Sequence, residues 1–443
     1  MKFKICLVIA IISACSLRMT SAQDNKQLPA LSSSDSLSLP QILQTVMQSY
    51  PTVVKAQEAI SAAEAAVGLA RSGYYPVVEA DAGYTRIDPV PTVTFPGLGT
   101  FMFAPNNNYN AGVSVYETLY DFEKTARNIR LQESTKKLSE KYVELIRQKL
   151  TLVTSVSYYS LIYLQEAIKI KESQISTLEK HLAFVTKKTE TGSSTQYEVL
   201  STQVRLSNAE NQKVDLETSR QTQTAILNSL LGLPVAGQLK VRSSFLATEP
   251  GIRPDSLITY ALEHRYELVM ARLRQEHAEL NLKSVKVQYN PSVGAFVDGG
   301  FKNGYFPDLN TFQANWAGGV GLKVPIFEAT RHTNNMKIAN TEISMTKQEL
   351  EETTRNVSTE VFQNEISLQA SLKKIDQGSL QVRQAEAALD LAAVSFRSGA
   401  ITNLDLLDAE TALEESRVSL LKDRIDYAIN LVRLNISVGK PIQ

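Results

Sequence analysis

Cysteine is almost missing from this chain. Its only two copies, Cys6 and Cys15, sit at the extreme N-terminus of a 443-residue sequence. Beyond Cys15 there is no thiol, so a disulfide framework, a thiolate zinc site and a cysteine nucleophile are all excluded there. Net charge is missing as well. The 46 basic and 46 acidic residues cancel, and no basic excess marks nucleic acid as a partner. No stretch reaches 18 consecutive apolar residues, so no transmembrane helix is expected. The four histidines, His181, His264, His277 and His332, are scattered. None stands at the spacing of a zinc protease, and no phosphate loop or Gly-x-Ser-x-Gly occurs. Each histidine reads as a surface or packing residue. The chain is not expected to be an enzyme, and it presents no candidate catalytic, cofactor or metal site.

The N-terminus carries an export signal. Met1-Lys2-Phe3-Lys4 is basic, and Ile5 to Ala14 is uncharged, as in a secretory leader. Two cleavage readings stand side by side. Cutting after Thr20-Ser21-Ala22 removes residues 1–22. A lipobox at Ile12-Ser13-Ala14-Cys15 removes 1–14 and leaves Cys15 acylated. Residues 23–38 form an N-terminal extension. An exported chain with no membrane helix can enter a membrane only as a β-barrel.

Beyond the extension the chain is one unit written twice. Gly192 and Gly399 are 207 residues apart, as are Thr195 and Thr402, Leu200 and Leu407, Asn228 and Asn435, and Gly232 and Gly439. Nearer the start of each half the offset becomes 215, pairing Ala56 with Ala271, Pro76 with Pro291 and Ala80 with Ala295. The chain therefore divides into a first repeat (39–232), a connector (233–254), a second repeat (255–439) and a short tail (440–443). The eight extra residues fall in a loop near Ile87 to Asn108.

Each half reads helix, strand, loop, strand, very long helix, tight turn, helix. The first long helix spans Asp121 to Thr191 with neither Gly nor Pro; its counterpart, Glu328 to Ser398, is interrupted only by Gly378. At about 1.5 Å per residue each would reach ~105 Å, a coiled-coil length rather than a globular one. Two shorter helices per half, Pro51–Tyr75 and Thr195–Leu231 in the first, together match the long one and should stack end to end along it. The connector should hold one short strand, Leu239–Arg242.

Four segments alternate with period two. Within their own strands Val78, Ala80, Ala82 and Tyr84 share a side, as do Ala111, Val113 and Val115 in the second, Val293, Ala295, Val297, Gly299 and Phe301 in the third, where Phe296 breaks the alternation, and Phe312, Ala314, Trp316, Gly318, Val320, Leu322 and Val324 in the fourth. Their lengths suit tilted membrane strands. Four strands cannot close a barrel, since the smaller bacterial ones use about 8. If these strands span a membrane, several copies must pool them.

Several marks resemble the outer-membrane efflux (TolC) family. Leu39-Pro40, Tyr50-Pro51 and Tyr75-Pro76 resemble its opening. Gly192 followed by Glu198-Val199-Leu200, Gly399 followed by Asp405-Leu406-Leu407-Asp408-Ala409, and Leu230-Leu231-Gly232-Leu233-Pro234 resemble its repeat signatures. The resemblance covers nearly the whole chain after the leader. It implies a mainly α fold with transmembrane β. Long coiled-coil-like helices would form a periplasmic α-barrel, and four strands per subunit would build a 12-stranded barrel in the outer-membrane lipid. It implies a homotrimer whose helical tip meets a periplasmic adaptor protein and an inner-membrane transporter. The chain would be a passive exit duct for efflux or type I secretion. The alternative is an exported coiled-coil scaffold without a channel.

The hairpin turns Gly192-Ser193-Ser194 and Gly399-Ala400-Ile401 are the candidate docking tips. Thr195 with Glu198, and Thr402 with Asp405, are spaced as capping boxes. By the resemblance, Asp405 and Asp408 line the closed tunnel entrance. By their own chemistry, Asp405 could merely cap its helix and Asp408 merely be solvated. The family often carries a basic residue two positions after the glycine; here that position is Ile401.

Overall fold

The computed structural model describes residues 36–97, 99–243 and 254–440. The leader, Cys15, residues 244–253 of the connector and the last three residues lie outside that set. In chain order the elements are α1 (Leu39–Ser49), α2 (Pro51–Arg71), β1 (Val77–Arg86), β2 (Thr92–Phe95), β3 (Gly99–Met102), β4 (Asn107–Tyr120), α3 (Lys124–Glu190), α4 (Gln196–Leu231), α5 (Pro254–His264), α6 (Tyr266–Val287), β5 (Ser292–Lys302), β6 (Gln313–Lys323), α7 (Arg331–Arg397) and α8 (Asn403–Ser437).

The long helices α3 and α7 are each 67 residues, or ~100 Å at the ordinary helical rise. Helices α2 and α4 both lie along α3, and α6 and α8 both lie along α7. The end-to-end stacking read from helix lengths is thus observed. Gly378 does not interrupt α7. It is buried at the crossing with α8, where a Cβ would stand 3.3 Å from Leu420 Cδ1 and 3.4 Å from Asp423 Oδ2. Its hydrogen side chain serves close helix approach rather than a bend.

The main core sits partway along the helices. Ile42 and Val46 of α1, Tyr158, Leu161 and Ile162 of α3, Leu227 of α4 and Ile425 and Val432 of α8 meet there. A second cluster joins Leu257 and Ala261 of α5 to Val357 and Val361 of α7. The strand expected at Leu239–Arg242 shrinks to one parallel bridge, Leu37 to Val241. Leu37 N donates to Lys240 O and Arg242 N to Leu37 O, while Tyr158 Oη donates to Arg242 O at 2.6 Å.

The four long strands form one antiparallel sheet in the order β1-β4-β5-β6. The expected loop from Ile87 to Asn108 holds a further ladder, the β2–β3 hairpin. The Pro and Asn content suggested loop there, but Thr92 to Phe95 alternates well enough to pair across a turn containing Gly97 (φ 83°).

Candidate functional site: the sheet wall and the hairpin tips

Register decides what the sheet can do. Val78 lies opposite Val115, Ala80 opposite Val113, Ala82 opposite Ala111 and Tyr84 opposite Tyr109. Val115 then meets Val297, and Ala111 meets Phe301; Val297 meets Gly318, Gly299 meets Trp316 and Ala295 meets Val320. The apolar set of every strand therefore falls on one face. The other face carries Glu79, Asp81, Ser114, Asp298, Asn110 and Asn315, with Asn110 Nδ2 donating to Asp81 at 3.0 Å, and at the end next to the helices Val77, Tyr116 and Phe296. A slip of one residue in any strand would mix the faces.

Among the described residues no α-helix covers either face. Trp316 is 82% exposed and Val320 70%, on the apolar side. The outer strands β1 and β6 each leave one edge without a partner strand within the described residues. Near one rim Tyr84, Tyr109 and Phe312 form an aromatic row, with ring centroids 5.0 and 5.7 Å apart. This is the pattern of a lipid-facing wall with an interfacial aromatic band.

At the far end of the helices the two hairpins share one construction. Gly192 and Gly399 both have φ 77°. Gly192 N donates to Thr189 O and Ser193 N to Lys188 O; Gly399 N donates to Phe396 O and Ala400 N to Ser395 O. Both turns are thus Schellman closures requiring a left-handed residue. Gly192, Ser193, Gly399 and Ala400 are exposed, while Ser194 and Ile401 are half-buried.

The two expected capping boxes differ. Thr402 and Asp405 form a complete box: Thr402 N donates to Asp405 Oδ2 at 2.8 Å, and Asp405 N to Thr402 Oγ1 at 3.3 Å. Thr195 caps α4 through Glu198 N, but the Glu198 carboxylate turns to Ser194 Oγ at 2.5 Å and leaves that box half-made. A serine beside the cap competes for the carboxylate. Position 401, the matching place before Thr402, is isoleucine and cannot.

Asp405 and Asp408 are both exposed on one side of α8, yet they have different partners. The Thr402 hydroxyl and backbone N–H hold the Asp405 carboxyl below its ordinary value. Asp408 accepts from Arg205 Nη2 of α4 at 2.6 Å, and Arg205 Nη1 also donates to Thr411 Oγ1 at 3.2 Å. So Asp408 is not simply solvated. A base thus reaches Asp408 from the other hairpin, while position 401 is isoleucine.

A second tie between hairpins is buried. Asn403 opens α8 and donates through Nδ2 to Thr202 Oγ1 at 3.2 Å and to Glu198 O at 3.5 Å. A carbonyl oxygen only accepts, so the other side of the amide is Oδ1. It faces His181 Nε2 at 2.5 Å, and that nitrogen must carry the proton. His181 also lies against the Phe396 ring at 5.5 Å. Lys188 Nζ stands 5.0 Å from the centroids of both Phe184 and Phe396. Nearby, burial pushes the Glu410 carboxyl up to about 7, although Arg205 pulls the other way. Its Oε2 is buried without a hydrogen-bond partner.

His181, Thr202, Arg205, Asn403 and Glu410 were not singled out as site residues from the sequence. His181 and Asn403 are 222 residues apart, and no local spacing announces their meeting. Among the described residues no group of His, Cys, Asp or Glu could hold a metal ion, and no helix is long and apolar enough to cross a membrane.

Comparison with known proteins gives the arrangement a context. Residues 42–233 and 257–440 match the family described as outer membrane efflux protein. Outer membrane protein TolC of Vibrio cholerae is 23% identical over 413 residues, which span 90% of each chain. Alkaline protease secretion protein AprF of Pseudomonas aeruginosa is 23% identical over 342 residues, covering 75% of this chain and 70% of its own. The crystal structure of the outer membrane protein VceC of Vibrio cholerae superposes with a TM-score of 0.77 at 19% identity. That match covers 91% of this chain and 96% of VceC.

Proposed function

The chain belongs to the outer membrane efflux protein family, and from that premise we propose how its two sites make it an exit duct of the outer membrane. It is a channel protein of that membrane, passing cargo outward for efflux or secretion. The observation that carries this reading is the register of the sheet, which sorts four strands into one apolar and one polar face with an edge strand open at each side.

Open edges in lipid leave backbone N–H and C=O groups unpaired, at several kcal/mol each. Pairing β1 of one copy with β6 of the next removes that cost. Three copies give a barrel of twelve strands with Glu79, Asp81 and Asp298 facing its water. The helices then form a tunnel on the periplasmic side, and the Gly192 and Gly399 turns are its tips. These tips dock a periplasmic adaptor and, through it, an inner-membrane transporter that supplies the energy. Asp405 and Asp408 form the gate at the tip, held shut in each subunit by the Arg205 and His181 ties. The relatives include a protein named for protease secretion, and the same duct geometry suits small or large cargo.

A coiled-coil scaffold without a channel would need its sheet covered or its strands shielded, and no α-helix among the described residues does so. Single-channel recording on the purified, reconstituted chain tests the duct. Discrete cation-preferring conductance is expected, because the carboxylates outnumber the Lys302 and Lys323 ammonium groups on the polar face. A folded oligomer that never conducts, or a chain monomeric and soluble without detergent, would refute it.

A further inference from the structure

The β2–β3 hairpin has no role in the wall or the gate. It rises from the rim of the sheet opposite the helices, where Arg86, Asn107, Lys302 and Gln313 mark the strand ends. Its register pairs Val93 with Phe101 and Thr94 with Thr100. Val93, Phe95 and Phe101 therefore share one face, with the Phe95 and Phe101 rings in edge contact at 6.0 Å. The other face carries Thr92, Thr94, Thr100 and, at its end opposite Thr92, Met102, with Thr94 and Thr100 hydrogen-bonded at 2.9 Å. The described residues of both strands are exposed. A two-stranded ribbon of this kind is marginal in water by itself, and its apolar face needs a cover.

The position of the hairpin shows where that cover comes from. It springs from the outer end of β1, one of the two edge strands. The other edge strand, β6, begins at the same rim, and the β5–β6 loop rises beside it. That loop carries Phe306, 58% exposed, ahead of Phe312. When β1 of one copy pairs with β6 of the next, the hairpin of the first stands against the β5–β6 loop of the second. Charge does not oppose the contact, because no charged residue lies between Asp88 and Glu117.

We propose that the β2–β3 hairpin is an intersubunit latch, its Val93–Phe95–Phe101 face packing on the β5–β6 loop of the neighbouring copy around Phe306, above the seam between the two sheets. The proposal rests on the barrel reading. It adds a contact outside the membrane that staples each seam at the end remote from the helices, where the long helices cannot hold it.

The test uses the full chain in outer-membrane vesicles and a short bismaleimide. Val93→Cys combined with Phe306→Cys is expected to give covalent dimers and trimers on denaturing gels. Neither single variant, nor the parent chain with its own Cys6 and Cys15, should do so. Adding Phe101→Asp, an exposed site whose charge disturbs only the apolar face, is expected to abolish the ladder. Three results would overturn the latch. Crosslinking by Val93→Cys alone would mean that hairpins meet one another across the pore axis. A double variant that is oligomeric in detergent yet uncrosslinked would place lipid or water on the face, and would leave the barrel standing. A double variant that is monomeric in detergent, like a monomeric parent chain, would remove the barrel reading and the latch together.

Discussion

His181 of the first long helix donates a 2.5 Å hydrogen bond to Asn403, the first residue of the last helix, and Asn403 passes the link on to Thr202. Three helices from two hairpins are joined through one buried amide. Asn403→Ala leaves the His181 donor without its acceptor, at a cost of about 1–3 kcal/mol. The expected outcome is a lower midpoint of thermal unfolding together with a higher resting conductance, since the tip loses a tie. A stability loss without any change in conductance would assign the link to folding alone.

Asp408 and Arg205 make a different kind of contact. The pair is partly exposed, so breaking it should change stability by only about 0.2–1 kcal/mol. Its effect should show in block by multivalent cations. Asp405→Ala with Asp408→Ala is expected to weaken that block. Arg205→Ala is expected to strengthen it, because Asp408 then loses its competing cation. Titration of single channels with a trivalent cation reads both signs, and unchanged block in the carboxylate variant would remove the gate assignment.

Glycine at the turns offers a stability test with a built-in contrast. Gly399 has φ 77° and open space where a Cβ would go; Gly439 has φ 81° but a Cβ there would stand 2.9 Å from His264 O. Gly399→Ala should therefore cost only the left-handed penalty of about 1–2 kcal/mol. Gly439→Ala should cost distinctly more, through backbone collision. Denaturant midpoints of the two variants rank the effects, and equal losses would contradict the close approach at Gly439.

Glu410 sets a pH dependence. Its carboxyl is raised from its ordinary 4.5 to about 7 by burial. The folded chain thus binds more protons than the unfolded chain across that interval, and stability must fall as pH rises through it. Below the unfolded value both states are protonated and the loss is absent. Glu410→Gln should be neutral in acid and stabilising above the folded value. Unfolding midpoints of both chains across that range test the sign; parallel curves would show that Glu410 titrates normally.

Much of the architecture was legible from periodicity. Alternation at Val78 to Tyr84 and at Phe312 to Leu322 announced strands, and the absence of Gly and Pro from Asp121 to Thr191 announced a helix that ends within three residues of the expected bounds. These are local signals, because a strand's faces and a helix's length depend on neighbours in the chain. The Gly192 and Gly399 turns were legible for the same reason: a left-handed closure is a property of a few consecutive residues. The β2–β3 hairpin was missed because Pro91, Pro96 and Gly97 read as loop, while pairing needs only two short alternating runs and a turn. Gly378 misled because glycine weakens an isolated helix, whereas here it admits Leu420 at close range.

Local pattern was enough for the doubled plan, the long helices, the four alternating strands and the form of the turns. Packing was needed to put all four apolar sets on one face, since register is a relation between strands, and Val115 of β4 meets Val297 of β5 from the other half of the chain. Packing also brought Asp408 to Arg205 and Asn403 to His181, and it buried the Glu410 carboxyl enough to raise its pKa. The two contacts join residues 203 and 222 positions apart. Short-range spacing carries no record of that, because it arises only when the two hairpins pack.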